Sequence, residues 1–577
     1  MTSLLEKIRR WTRSTPKEIL EQQLTTSAPR QQKSSIRYPD WPQLLKHEWS
    51  RWQGAVQAAT GGPRILIATG VGGHLPVVTL DSLLAVALTL RGAEVHLLLC
   101  DQTLPACEQL TFHKVSNPAA FAAQGISEKT CRSCFNGGSG VYRALGVPFH
   151  LYSEFITPEI KQWVTELAAA IPLDEIAGYQ LDGLRVGEHA LAGALRFFAR
   201  GTLENEPLAE PVLRHYFKAA LLTTSAARRC LRQYHFACAT FHHGIYVPQG
   251  LVGEVARQEG VRVANWQVAY RKKSFIFSHH DTYHHTMLTE PVSTWENISW
   301  TPHLETETMD YLKSRWQGTR DWIWFHETPQ EDLEAIIREV GVDLSRPCIG
   351  LLTNVMWDAQ LHYPANAFPN MKEWIIQTIQ YFARRPELQL VIRIHPAELR
   401  GTVKSRQLMA DEIRQVFPEL PPNIFVIPPE SQISTYVMMA QCNAVIIYGT
   451  KTGVELTSMG VPVIVGGEAW IRNKGLTLDA RSVDEYFKIL DQLPFSQPLE
   501  PAIIERGRKY AYHFFFRRMI PVASIEPTEE AKSYRIQLSG LDDLLPGKDP
   551  GLDTICNGIL HGSDFVYPAE LYPHGSV

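Results

Sequence analysis

The chain has 577 residues, 45% of them hydrophobic and 20% charged, with a formal net charge of −4. That length exceeds what a single hydrophobic core serves and predicts two or three domains, while the near-neutral charge excludes the basic field of a nucleic-acid binder. No apolar run reaches the roughly 20 residues that span a bilayer, the start lacks the apolar centre of a signal peptide, and nine cysteines in so long a chain do not make a secreted disulfide scaffold, so a cytoplasmic protein is expected.

The first predicted element is a helix within residues 1–23. Leu4, Leu5, Ile8 and Trp11 fall on one face, and Lys7, Arg9, Arg10 and Arg13 add positive charge. The pattern reads first as a helix packed on its own domain or a frayed terminus, with peripheral contact with the inner face of an anionic membrane as the alternative. Residues 25–35 are polar and read as a linker, so 1–35 is set apart from the body. An apolar strand over 64–71 then runs into Gly70, Gly72, Gly73 and His74, a helix follows over 77–90 and a second strand over 94–100. Strand, helix and strand in this order open a parallel, doubly wound sheet.

Cys100, Cys107, Cys131 and Cys134 come next, spaced C-x6-C-x23-C-x2-C. Four thiols within so short a stretch fit a tetrahedral zinc ion or an iron–sulfur cluster. A set of half-buried thiols and a redox-active C-x-x-C fit the same residues.

A strand over 146–155 and a helix over 158–170 follow, and another helix begins near Glu188. An acid in a first turn complements the helix dipole; it also serves as a cleft carboxylate. A long helix over 210–234 leads to a strand over 236–241 that delivers His242 and His243 to its carboxyl end, where open α/β sheets bind ligands. An imidazole titrating near pH 6.5 suits proton transfer at neutral pH. Adjacent strand residues point to opposite faces, so at most one of the two serves as a base. His279, His280, His284 and His285, around Asp281, form the densest imidazole cluster and read as a polar loop beside the cleft. Helices within 301–341 make a connector and a domain boundary.

The alternation restarts with a strand over 349–353, a loop holding Asn354, Trp357 and Asp358, a helix over 371–382, and a strand over 390–394 that carries Arg393 and ends at His395 and Pro396. A helix over 405–417 and a strand over 424–427 follow. A strand over 445–448 then meets the loop GTKTG, a helix over 454–459 and a strand over 461–465. Strand, small-residue turn and helix start converge unpaired N–H groups on an anion, which suits a phosphate. Helices over 482–490 and 503–518 complete this half. The stretch 526–577 keeps aromatic and aliphatic residues and is expected to be ordered on the body.

RIHP followed by YGTKTGVELTSMGVPVI resembles the donor-binding half of a GT-B glycosyltransferase, most closely those of bacterial capsule and surface-polysaccharide biosynthesis. The resemblance implies an α/β fold of two doubly wound, Rossmann-like domains with a cleft between them. An acceptor domain over 36–335 carries the four-cysteine insertion, a nucleotide-sugar domain covers 336–500, and a crossing helix and tail cover 501–577, where YAYHFFFRRMIP resembles the crossing element. By this likeness His395, Thr450, Lys451, Thr452 and Gly453 face the phosphates of a nucleotide sugar, with Arg393 beside them, and Glu455 takes the ribose hydroxyls. TGVGGH resembles the first loop of the acceptor half and turns His74 into the cleft.

The activity implied is metal-independent transfer of a sugar, from a donor whose base is open, to a hydroxyl of a glycan or lipid-linked acceptor. The candidate bases rank His243, Glu188, then His74. An epimerase or phosphopolyol transferase of the same fold, and a non-catalytic nucleotide- or glycan-binding scaffold of an assembly complex, are the alternatives.

Overall fold

Fifteen short strands among the described residues build two parallel-strand sheets and a small hairpin. The computed structural model describes residues 38–317, 320–322, 329–359, 366–528 and 533–572; the amphipathic stretch 1–23 and the linker lie outside the described residues. The first sheet contains β1 (Arg64–Gly70), β2 (Glu94–Leu99), β3 (Phe149–Leu151), β4 (Cys238–His242), β5 (Arg262–Val268) and β6 (Ser274–His279), with a late strand added at its edge. The second contains β7 (Cys348–Leu352), β8 (Gln389–Arg393), β9 (Ile424–Ile427), β10 (Ala444–Ile447), β11 (Val463–Val465) and β12 (Leu478–Asp479).

Both sheets repeat one order. The first runs β3-β2-β1-β4-β5-β6 and the second β9-β8-β7-β10-β11-β12, which is the doubly wound order 3-2-1-4-5-6. The second sheet is parallel throughout; in the first, β6 runs antiparallel to β5. This is the two-lobed GT-B architecture that the sequence implies. Ile65, Leu66, Ile67 and Ala68 of β1 and Ala444 to Ile447 of β10 are fully buried, as central strands covered on both faces require.

The helix Leu75–Thr89 is buried along its whole length from Val77 to Thr89. A helix apolar on every side needs cover on every side, and the C-terminal region supplies it. Tyr534 Oη donates to Pro76 O at 2.6 Å, and Arg91 donates to Leu544 O at 2.7 Å and pairs with Asp553 at 2.5 Å. The ordered tail is therefore a structural layer, built from the hairpin β14 (Ile525–Pro527) and β15 (Tyr534–Ile536) and the helix Pro550–His561.

The crossing element also forms. The helix Pro501–Tyr512 packs on the helix Thr452–Ser458 of the second lobe, where a Cβ on Gly507 would come 3.0 Å from Thr457. The chain then turns back, and β13 (Ile520–Pro521) pairs antiparallel with β6 of the first sheet. Arg518 is spent here: it donates to Phe277 O and Phe565 O and lies 3.3 Å from Glu290. Among the described residues no helix is long and apolar enough to cross a membrane.

One buried charge network fastens this frame. Arg315, on the helix Pro302–Gln317, donates to Glu455 at 3.0 Å and to Tyr311 Oη at 3.0 Å and pairs with Asp321, while Lys451 Nζ reaches Glu455 at 2.9 Å. Breaking such a group strands charge in a low-dielectric interior at a cost of about 3–5 kcal/mol. Arg315→Met is therefore expected to lower the unfolding free energy by that amount in urea titration, and the double variant Arg315→Met with Glu455→Met to lose clearly less. A loss in the double variant equal to the sum of the Arg315→Met and Glu455→Met losses would show that the network carries no coupling.

Candidate functional site

In a sheet of order 3-2-1-4-5-6 the connections leave strands 1 and 4 in opposite directions and open a crevice at their carboxyl ends. In the first sheet this is the end of β1, with Gly70, Gly72, Gly73 and His74, and the end of β4, with His242 and His243. In the second it is the end of β7, with Thr353 and Asn354, and the end of β10, with Gly449 and Thr450. The chemistry-bearing motifs fall at both.

The first crevice is built around Glu108, which the motif reading passed over because it sits in an irregular loop. Its carboxylate is 6% exposed; Oε1 accepts from Gln249 Nε2 at 2.8 Å and lies 3.7 Å from His74 Nδ1. His74 stands edge-on to His242 with ring centroids 5.2 Å apart, and His242 packs 4.8 Å from Trp266. Among the described residues, His74, Glu108 and His242 are the one set of three or more His, Cys, Asp or Glu side chains whose donor atoms lie within 4.8 Å of one another. Two imidazoles and a carboxylate also suit a divalent cation. Burial pushes Glu108 up, but His74, His242 and Arg196 pull it below the ordinary carboxylate range, so it is an anion.

His243 leaves the strand in the left-handed region at φ 60°. Its ring lies 4.9 Å from Tyr246 and 6.2 Å from His284. Burial, with His284 and Arg196 adding, holds it well below its ordinary pKa. His242 is depressed in the same way, by burial first and then by His74.

Glu188 is not brought to this group. Arg185 lies 3.3 Å away and burial raises its carboxyl, while its other charged neighbours include His189, Glu254 and His285. The four-histidine stretch divides. His279 donates through Nε2 to Ser563 O and stacks on Phe565, His285 pairs with Asp281 at 3.0 Å, and His284 turns inward against Trp470.

The second crevice is tied together by the end of β7. Thr353 Oγ1 accepts from His395 N at 3.0 Å, and Asn354 Oδ1 accepts from Gly449 N at 3.4 Å. His395 and the GTKTG turn thus flank one strand end. Ala397 N donates to His395 Nδ1 at 3.0 Å, which leaves the proton of a neutral ring on Nε2. Thr450 and Thr452 hydroxyls lie 3.1 Å apart, and Thr452 N donates to Thr450 Oγ1. Gly453 serves packing: a Cβ there would come 2.7 Å from Ile447 Cδ1, so glycine lets its helix rest on β10.

Three residues expected at the phosphates or ribose are otherwise engaged. Arg393 is 2% exposed and donates to Pro428 O, to Ser431 O at 3.0 Å and to Thr435 Oγ1 at 3.4 Å. It clamps the turn after β9, and burial lowers its pKa to about 10. Glu455 is fully buried. Burial pushes its carboxyl up, but Lys451, Arg315 and the Tyr436 hydroxyl bring it down to about 2. It is the anion of the internal network and is closed to a ribose in this structure. Lys451 is that anion's partner and sits 4.9 Å over the Tyr270 ring.

The four cysteines are unpaired thiols. They are not among the groups of three donors within 4.8 Å.

The two crevices meet. Tyr246, against His243, donates through Oη to Asp358 Oδ1 at 3.0 Å and accepts from Ala359 N at 3.2 Å, joining the loop after β4 to the loop after β7. Farther out, Gln407 Oε1 accepts from Gly201 N at 2.8 Å, Arg406 pairs with Glu206 at 2.9 Å, and Lys474 Nζ donates to Met287 O at 2.9 Å.

Residues 330–490 match the family described as capsule polysaccharide biosynthesis protein. No curated protein sequence matches the chain. Among solved structures, the beta Kdo 2,4 transferase KpsC of Thermosulfurimonas dismutans is 13% identical, covers 49% of this chain and 81% of its own, and superposes with a TM-score of 0.34. The S. aureus MnaA–UDP co-structure is 9% identical, with 78% and 91% covered and a TM-score of 0.28. The UDP-GlcNAc 2-epimerase of Methanocaldococcus jannaschii is 10% identical, with 78% and 98% covered and a TM-score of 0.25. Likeness of this degree carries no argument about activity. Over its second lobe, the chain resembles capsule polysaccharide biosynthesis proteins.

Two outcomes follow from this geometry. Arg393→Met leaves two part-buried carbonyls without their donor and is expected to cost about 2 kcal/mol in chemical denaturation, more than His395→Asn, whose Oδ1 replaces Nδ1 for Ala397; the reverse order would undo the assignment of Arg393 as a clamp. The second concerns acid. His242, His243 and His284 are depressed by burial, His284 to about 3, so their contribution is complete above the unfolded value of about 6.5 and is lost as pH falls below it. Unfolding free energy should drop between about pH 6.5 and 5, with a shallower slope in His284→Gln; a flat profile there would contradict neutral buried rings.

Proposed function

We propose that the protein is a glycosyltransferase that moves a sugar from a nucleotide-sugar donor to a hydroxyl of a capsular or other surface polysaccharide. The observation that supports this reading is the hydrogen bond from Tyr246 to Asp358, which ties the loop after β4, with His242 and His243, to the loop after β7, whose Thr353 and Asn354 hold His395 and the GTKTG turn. The match of residues 330–490 to the capsule family supports the substrate class.

In the step proposed, the acceptor hydroxyl oxygen bonds to the anomeric carbon as the bond from that carbon to the donor phosphate oxygen breaks. The bonding pair leaves with the nucleotide, and the hydroxyl proton passes to an imidazole. Negative charge grows on the departing phosphate, and groups that hold it more strongly in the transition state than before lower the barrier. His395 Nε2–H, the Thr450 and Thr452 hydroxyls and the N–H groups of that turn take this role, with Arg393 and Glu455 outside it.

Geometry reorders the candidate bases. His74 has its side chain 35% exposed at the first crevice, with the Glu108 carboxylate 3.7 Å from its Nδ1. His243, more deeply buried, comes second, and Glu188 third.

With a panel of nucleotide sugars, the protein should release free nucleotide and transfer the sugar to a polysaccharide or lipid-linked acceptor, resolved by mass. His74→Ala is expected to lower kcat by about 10²–10⁴ and Glu108→Gln by a smaller factor, with a chelator leaving the wild-type rate unchanged. An isomerised sugar nucleotide without transfer would replace this reading with an epimerase, and nucleotide binding without turnover would replace it with a scaffold. Full activity in His74→Ala would remove the base.

A further inference from the structure

We infer that His74, Glu108 and His242 form a binding site for one divalent transition-metal ion of the zinc type, and that an ion held there takes His74 out of proton transfer. The effect on catalysis rests on the transferase reading; the metal site itself does not.

The three ligands come from three separate pieces of chain, each fixed by the fold. His74 stands beyond the glycine loop after β1 and opens the helix Leu75–Thr89, where its main-chain oxygen accepts from Val77 N at 3.0 Å and Val78 N at 3.1 Å. His242 is the last residue of β4, the neighbour of β1 in the sheet, and is 5% exposed. Glu108 stands in the loop after β2. Its N–H donates to Val247 O at 2.9 Å, and its carboxylate is held by Gln249, a fully buried residue whose amide also donates to Thr69 O of β1 at 3.0 Å.

The distances suit a single ion. One donor atom from each residue lies within 4.8 Å of the other two, and His74 Nδ1 is 3.7 Å from Glu108 Oε1. Nitrogen and oxygen ligands at about 2.1 Å from a tetrahedral ion stand about 3.4 Å apart, so side-chain shifts of about 1 Å or less close the set.

Several lone pairs at this place have nothing to bind. His74 Nδ1, His242 Nδ1 and Gln249 Oε1 are all buried and lack a hydrogen-bond partner among the described residues. The buried Glu108 carboxylate has one ion-pair partner among the described residues, the His74 ring. Arg196, the nearby cation, is directed to the Glu108 main-chain oxygen and to the face of the Tyr246 ring at 5.1 Å. Unpartnered buried groups cost free energy, and buried charges are paired or coordinate a metal. A divalent ion answers the carboxylate and both imidazoles at once, and a water on its remaining position supplies a donor of the kind that Gln249 Oε1 lacks.

The donor set selects the ion. Two ring nitrogens and one carboxylate suit zinc and its neighbours in the first transition row, whereas magnesium and calcium take oxygen ligands. The consequence for His74 follows from its two nitrogens. With an ion on Nδ1, the neutral ring carries its proton on Nε2 and has no lone pair left for the proton of an acceptor. The ion is therefore an inhibitor, and transfer in the ion-free chain stays metal-independent.

The test uses the full chain, freed of metal by a chelator and then dialysed. Zn²⁺ is titrated by calorimetry, Co²⁺ by visible absorption, and sugar transfer is followed with and without Zn²⁺. One ion per chain is expected, with the cobalt bands of a nitrogen- and oxygen-bound ion and without sulfur-to-cobalt charge transfer. Saturating Zn²⁺ should lower the transfer rate by about 10²–10⁴, as loss of a general base does, and excess chelator should restore it. Glu108→Gln and His242→Ala should each weaken Zn²⁺ binding by more than the roughly 10–100-fold that loss of a partner outside the ligand set costs. His279→Gln, whose ring stacks on Phe565, should bind as the wild type does. Should either ligand variant fail to fold, the wild-type stoichiometry and cobalt spectrum decide alone. No stoichiometric binding, a sulfur-bound cobalt spectrum, or unchanged affinity in Glu108→Gln and His242→Ala would overturn the site, and saturating Zn²⁺ without loss of rate would overturn the inhibition. A chain that binds the ion through these residues but transfers no sugar would keep the site and remove the transferase reading instead.

Discussion

The structure depends on a single topological constraint used twice. Each sheet reverses its winding between strands 1 and 4, and a parallel sheet leaves its polar loop ends unpaired at that reversal. Here a loop at one reversal is joined to a loop at the other through Tyr246 and Asp358. A residue placed directly after β1, β4, β7 or β10 is thereby carried to one of the two crevices whatever its distance in sequence. His74, His243, Asn354 and Thr450 arrive in this way from four separate parts of the chain. The crossing helix and β13 then hold the lobes in one compact unit.

The second constraint is electrostatic. Several cations near the cleft are already committed: Arg315 and Lys451 to Glu455, Arg518 to Glu290 and main-chain oxygens, and Arg393 to the turn after β9. Such pairs are costly to bury and costlier to break, so their positions are rigid and their charges are largely consumed. A phosphate at the second crevice would accordingly have hydroxyls, N–H groups and the His395 imidazole at the strand ends to meet it. These donors are fixed in place and need no reorganisation as charge develops.

Much of this is legible in the sequence, and the rest fails for identifiable reasons. The alternation of strands and helices gives both sheets, because continuous apolar runs such as 64–71 and 445–448 between turn signals have few other readings. The strand ends locate His395, Thr450, His242 and His243. What the sequence does not show is where a side chain's charge is spent. Arg393 reads as a phosphate ligand and Glu455 as a ribose ligand until Pro428, Ser431 and Arg315, distant in sequence, are seen to hold them. Glu108 is missed for the opposite reason: nothing periodic marks it, and only the fold carries it to His74. The tail is legible as ordered from its aromatics, but its task, covering the helix Leu75–Thr89, appears only once that helix is seen to be apolar all round.

The central claim is that the ends of β7, β8 and β10 form one pocket for a nucleotide diphosphate or phosphate. Its most direct test is a thermal-shift series with UDP, GDP, CDP, TDP and CMP on the wild-type chain and on Thr450→Val with Thr452→Val, since a ligand that prefers the folded state must raise its stability. The account predicts that at least one nucleotide raises the wild-type midpoint and that the double variant, itself still folded, loses that rise. No shift with any nucleotide, or a shift that survives in the double variant, would contradict it.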